Sequence, residues 1–306
     1  MFVTSDVFDL KALAASRSEK WSEVLMGGVD IKGTNWPGYQ AGARFLQEAS
    51  RRCGIAQNMT HAGYNRLDEV RTRQIKPQSM ERLARGELAG AKDATSVLLE
   101  GGRAQAGKAS GEIGFGGETG AIRCRRGPVG PIPAPGPPWR FSADFIFPLD
   151  EDPVLLASDL LAMAVTILGA EYGYHFIRDA ECGADLYTHG ISAPLGYSPL
   201  AQEQRHEVAN WADAVSDGTI WSGPHPLIRD LFQVNLLSER HMATPVDGLC
   251  LRDWIVAALG RGRSDDLGQG RWLWTLTDAE MVYVRPRLND AGLLLSCLPR
   301  VYRDLP

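Results

Sequence analysis

Between Leu249 and Cys297 the chain reads as helix, loop, strand, helix and strand in turn. That order constrains the fold more than any other feature. Leu251, Trp254, Ile255, Ala258 and Leu259 recur at the spacing of one helix face. Asp247 precedes them as an N-cap, and Gly260 follows as a residue able to take the left-handed conformation that ends a helix. The stretch RGRSDDLGQG reads as a loop. In RWLWTL, Trp272, Trp274 and Leu276 alternate with Arg271, Leu273 and Thr275, so both indoles share one face of a strand. Thr277 and Glu280 have the spacing of a capping box and open the next helix, which Pro286 should kink or shorten. Gly292 stops it, and Leu293 to Leu295 read as a short buried strand.

The same alternation extends back to Trp139. RFSADFIF is a strand, Asp152-Pro153 is an N-cap followed by proline at the first helical position, and the helix it opens runs to Gly169. YHFIRD, ADLYTHG and LFQVNLL read as strands, and residues 199–214 as a polar helix. One connection is hairpin-short, so the expected class is α+β: a mixed β-sheet with packed helices in the C-terminal half.

The first half has a different character. Residues 1–26, 41–53 and 79–100 suggest helices, the last weakened by Gly86 and Gly90. Residues 101–138 are rich in glycine and then proline, as a flexible linker running into polyproline is. The expected organisation is a loosely packed, helical and partly disordered region over 1–100, a linker over 101–138, and an α+β domain over 139–306. Charge follows the same division. Residues 1–138 carry a net +5 and residues 139–306 a net −10, with all six lysines at or before Lys108. An acidic second half argues against nucleic-acid binding there, whereas the basic first half is compatible with weak, salt-sensitive binding.

Five scattered cysteines without a CxxC pair fit reduced thiols in a cytoplasmic protein. MFVTSDVFDLK lacks a basic region followed by an apolar core, so no signal peptide is expected, and no apolar run in this sequence approaches the length of a membrane span. GRAQAGK, from Gly102 to Lys108, has P-loop spacing, but Ala109 stands where the motif needs a hydroxyl, and no helix pattern follows. No cofactor and no metal site are expected. A histidine beside a carboxylate is the minimum general-base unit, and three places offer one. His175 could meet Asp185 across a hairpin, His225 is near Asp230, and His241 is near Glu239. Such pairs are more often structural than catalytic. Eight tryptophans supply core volume, and exposed ones such as Trp221 or Trp254 would anchor a partner. Together these features point to a non-catalytic binding protein of immunity or accessory type, recognising a protein partner through its C-terminal half. The alternative is a hydrolase or group transferase using a histidine–carboxylate pair.

Overall fold

The computed structural model describes residues 20–29, 38–52, 59–66, 73–91, 94–102, 119–128, 139–148, 152–179, 210–211, 214 and 225–297. The fold is α+β, organised on one ten-stranded sheet. Its strands are β1 (Lys20–Val29), β2 (Met59–Arg66), β3 (Arg73–Ile75), β4 (Ala94–Gly102), β5 (Thr119–Pro128), β6 (Trp139–Pro148), β7 (Tyr172–Asp179), β8 (Val234–Ser238), β11 (Arg263–Gly268) and β12 (Arg271–Thr275). A separate two-stranded hairpin is formed by β9 (Pro245–Val246) and β10 (Leu249–Cys250). The order across the large sheet is β11-β12-β8-β7-β1-β6-β5-β4-β2-β3. Each of these pairings is antiparallel, and one isolated parallel bridge joins Ile228 to Leu294.

The first half contributes more strand than its patterning predicts. The helix expected over residues 1–26 gives way, over Lys20–Val29, to β1, which pairs with β6 on one side and β7 on the other. Backbone pairing on both edges outweighs a short run of helical spacing. Over residues 79–100 the α-helical part among the described residues, beside a short 3-10 turn at Ala89–Ala91, is α2 (Met80–Ala84). Gly86, at φ 75°, lies just beyond it, and Ala94–Gly102 is the strand β4. The 101–138 stretch, expected as a linker, carries β5, and β5 pairs with β6 from the other side of residue 138. With three arginines and two glycines among its residues, that strand had no apolar signature.

Helices cover the sheet on two faces. On one face lie α1 (Gly38–Arg52) and α3 (Pro153–Leu168), with Phe45, Leu46, Leu160, Leu161 and Ala164 packed into a core shared with Val234, Leu236 and Leu273. The expected cap of α3 is in place: Asp152 accepts from the backbone N–H groups of Val154 and Leu155, and Gly169 ends the helix at φ 67°. On the other face, at the β7–β8–β12 end, Tyr172, Tyr174, Phe176, Leu237 and Trp274 form a second core with Trp211, Phe232 and Trp254. Here α4 (Glu239–Met242), α5 (Leu251–Val256) and α6 (Asp278–Asp290) supply the cover. Strand β8 is buried throughout because both cores use it. Thr277 and Glu280 form the expected capping box, and α6 runs through Pro286. RGRSDDLGQG, expected as a loop, is instead β11 and the tight turn into β12. Gln269 and Gly270 occupy that turn with φ 56° and 68°, the primed geometry that matches strand twist. Among the described residues no helix is long and apolar enough to cross a membrane.

Candidate functional site

The histidines named from sequence do not assemble a centre. His175 and Tyr174 are neighbours on β7, so their side chains leave opposite faces of the sheet. Tyr172 and Tyr174 belong to the second core, and His241 stacks on Tyr172 with ring centroids 5.3 Å apart. His175 lies in register with Val24 and Val234, on the face covered by α3. The sheet therefore separates His175 from His241. Both rings are buried, and burial pushes His175 down to about 4 and His241 down to about 3, so both are neutral near pH 7. A contact with the Leu227 backbone opposes the shift at His241, while Arg240 and Arg271 add to it.

The carboxylates named beside His225 and His241 are engaged elsewhere. Glu239 accepts from Trp272 Nε1 at 3.2 Å and from Arg252 at 3.3 Å. Asp230 accepts from Arg285 and from the Leu231 backbone N–H. His241 uses Nδ1 to accept from the Ser238 backbone N–H at 3.2 Å, with the Ser238 hydroxyl 2.9 Å away. It thus serves as part of the cap of α4. His225 is exposed, in a bend before Pro226. Asp185 and Trp221 lie outside the described residues, as do the ADLYTHG strand and most of the 199–214 helix. Among the described residues no group of three or more histidines, cysteines or acids could hold a metal ion.

Trp254, the other tryptophan named for binding, is 1% exposed. Its ring serves the fold: Nε1 donates to Asp247 Oδ2 at 3.0 Å, and the Arg261 guanidinium lies over it at 4.0 Å. Asp247 is thus not the N-cap expected; it sits at φ 49° in the two-residue turn between β9 and β10, with Gly248 at φ 82°. Cys250 takes the N-cap position of α5 without a side-chain bond.

Beside this tryptophan the chain exposes apolar side chains. Helix α5 ends at Val256, earlier than the apolar spacing implies, and the chain turns through Gly260 and Gly262 at φ 80° and 79°. Leu259 thereby leaves the buried face and is 99% exposed, with Val256 at 72%. The turn is braced from beneath. Arg261 Nη1 donates to the Trp254 carbonyl at 2.6 Å, and Trp274 Nε1 donates to the Arg261 carbonyl at 2.9 Å. A Cβ at Gly262 would come within 2.4 Å of the Thr275 carbonyl oxygen, so only glycine passes there. An open groove of about 630 Å³ runs alongside, lined by Ile255, Val256, Leu259, Gly262, Arg263 and Glu280. The Glu280 carboxylate is held below the usual range, chiefly by the Thr277 backbone N–H and hydroxyl, with help from the Gly262 backbone. Arg263 is paired with Asp265 at 2.7 Å. The groove thus offers apolar surface on a fixed frame, with its charges already engaged.

Sequence reading assigned Leu259 to the helix face and missed the turn. The signal was the pair Gly260 and Gly262 around a single arginine, which marks a compact left-handed turn more than a simple helix stop.

No family model matches the chain, and no curated protein matches it. Among solved structures the chain is similar to the Pseudomonas aeruginosa T6SS protein PA0821, at 14% identity and a TM-score of 0.47, over 90% of this chain and 73% of that chain. A likeness at that level fixes neither the fold nor the function of this chain.

Proposed function

We propose that the protein is a binding protein of the immunity or accessory kind, which recognises a protein partner through its C-terminal half. The observation that carries this is Leu259, an almost fully exposed leucine on a turn braced by two hydrogen bonds to backbone carbonyls. An apolar side chain presented on a rigid frame loses little entropy when it enters a partner's pocket, so the contact keeps most of its worth. Apolar groups of this kind, next to a groove and rimmed by charges, mark interaction surfaces more often than isolated exposed leucines do. The buried, neutral states of His175 and His241 support binding over proton transfer.

The test begins by co-purifying a partner with the full chain and then titrates that partner, purified, against wild type and Leu259→Asp. The expected result is a defined complex whose affinity falls by about tenfold or more in the variant, as for a hot-spot residue. Equal affinity for both chains, or no complex with any protein, overturns the proposal.

A further inference from the structure

We infer that a second copy of this chain pairs edge to edge with β11, antiparallel, about a two-fold axis through Ser264. This goes beyond the partner reading above and stands without it. β11 ends the ten-stranded sheet, and among the described residues it pairs only with β12. Its residues are exposed or half-buried along the whole strand. Arg263 to Asp266 run in unbroken register against Thr275 to Trp272, and the bulge falls only after Asp266. A strand in that position presents the N–H and C=O groups of every second residue to the outside.

That alternation restricts how two identical edges can meet. In an antiparallel pair, residues facing each other must both point their backbone groups across, or both point them away. For two copies of one strand, the axis therefore passes through a residue that faces itself. Placed on Arg263 it opposes two guanidinium groups, and placed on Asp265 or Asp266 it opposes two carboxylates, arrangements that destabilise a strand pair. Leu267 and Gly268 lie at the bulge, so within the unbroken register Ser264 is the remaining choice. It sets hydroxyl against hydroxyl and puts Arg263 of each copy opposite Asp265 of the other.

The side chains are already disposed for this. Arg263 and Asp265 lie on one face of β11, with Nη2 2.7 Å from Oδ1, and their side chains are 79% and 39% exposed. Pairing two copies turns two separate ion pairs into a closed ring of four alternating charges, on an isologous interface. Asp266 lies beyond the paired stretch, level with Gly262, which turns out of the strand at φ 79° and carries no side chain to obstruct the approach. Arg263 and Ser264 also line the groove beside Leu259, so the two grooves adjoin across the axis.

Sedimentation velocity on the full chain tests this with Arg263→Asp and Asp265→Arg. Wild type is expected at twice the 33.4 kDa of one chain. Each variant alone gathers four like charges at the axis and should sediment as a single chain, its self-association weakened about tenfold or more. An equal mixture of the two variants restores opposite charges at both positions and should return to the double mass, which also reports that both remain folded. A wild type that sediments as one chain, a variant that stays dimeric, or a mixture that stays monomeric overturns the inference. A monomeric wild type that still forms the Leu259-dependent complex leaves the partner reading in place.

Discussion

The guanidinium of Arg261 covers the indole of Trp254 at 4.0 Å and donates to the Trp254 carbonyl at 2.6 Å, so one residue seals both the ring and the end of its helix. The turn that carries Leu259 takes its rigidity from this contact. Arg261→Ala should lower unfolding free energy by about 2 kcal/mol, from lost stacking and a lost charge-assisted hydrogen bond. Chemical denaturation measures it, and a loss of a few tenths would mean that the brace is not energetically coupled to the core.

Gly262 and Gly268 share a φ of 79° but differ in surroundings. At Gly262 a Cβ meets the Thr275 carbonyl at 2.4 Å, whereas at Gly268 nothing lies within 4 Å. Gly268→Ala should cost about 1 kcal/mol, the price of the left-handed conformation alone. Gly262→Ala should cost about 3 kcal/mol or more, because the strand beneath must also shift. Comparable losses at the two positions would contradict the packing described.

Leu259 and Leu251 lie at the two ends of one apolar pattern and should respond oppositely. Leu251 is fully buried and Leu259 is 99% exposed. Leu251→Ala should destabilise by about 2–5 kcal/mol, and Leu259→Asp should stay within about 0.5 kcal/mol of wild type. Thermal unfolding of both variants decides whether Leu259 is dispensable for folding.

His175 and His241 make stability depend on acidity. Their folded values of about 4 and about 3 lie below the unfolded value of about 6.5. The unfolded chain therefore binds protons first as pH falls, and stability present above about pH 6.5 is lost progressively below it. The loss should reach up to about 1.4 kcal/mol per pH unit for each histidine between pH 6 and the folded values. Urea titrations at successive pH values measure the slope. Imidazole nitrogen shifts should report both rings neutral in the folded protein at pH 5; a charged ring there would remove this origin for the slope.

Asp152 caps α3 through two backbone N–H groups while remaining exposed. Asp152→Ala should cost about 1 kcal/mol and Asp152→Ser much less, since the hydroxyl can still accept. Equal losses would mean that the charge at the helix N-terminus, more than the hydrogen bond, stabilises it.

Local chemistry made several elements readable in advance. The Asp152-Pro153 start and Gly169 stop of α3, the Thr277 and Glu280 box of α6, and the alternation in β12 each satisfy backbone groups within a few residues. Their structure therefore depends on neighbours in the chain. β1 depends instead on the distant strands β6 and β7, β5 on its two sequence neighbours β4 and β6, and β11 on β12 across a two-residue turn. Their residues lack a clean period because strand pairing, not one buried face, holds them in place. The candidate site was hidden for a different reason: Leu259 continues the periodicity of α5, and only the spacing of Gly260 and Gly262 signals locally that the helix has already ended.

The amino-acid sequence by itself determined the α+β class, the capped helices and the apolar residues available for two cores, because these follow from short-range hydrogen bonding and period. Only the tertiary structure decided that one sheet unites strands from either side of residue 138, that His175 and His241 fall on opposite faces of it, and that Leu259 stands in solvent. Those outcomes depend on which backbone edges meet across long stretches of chain, and a linear pattern does not encode that pairing.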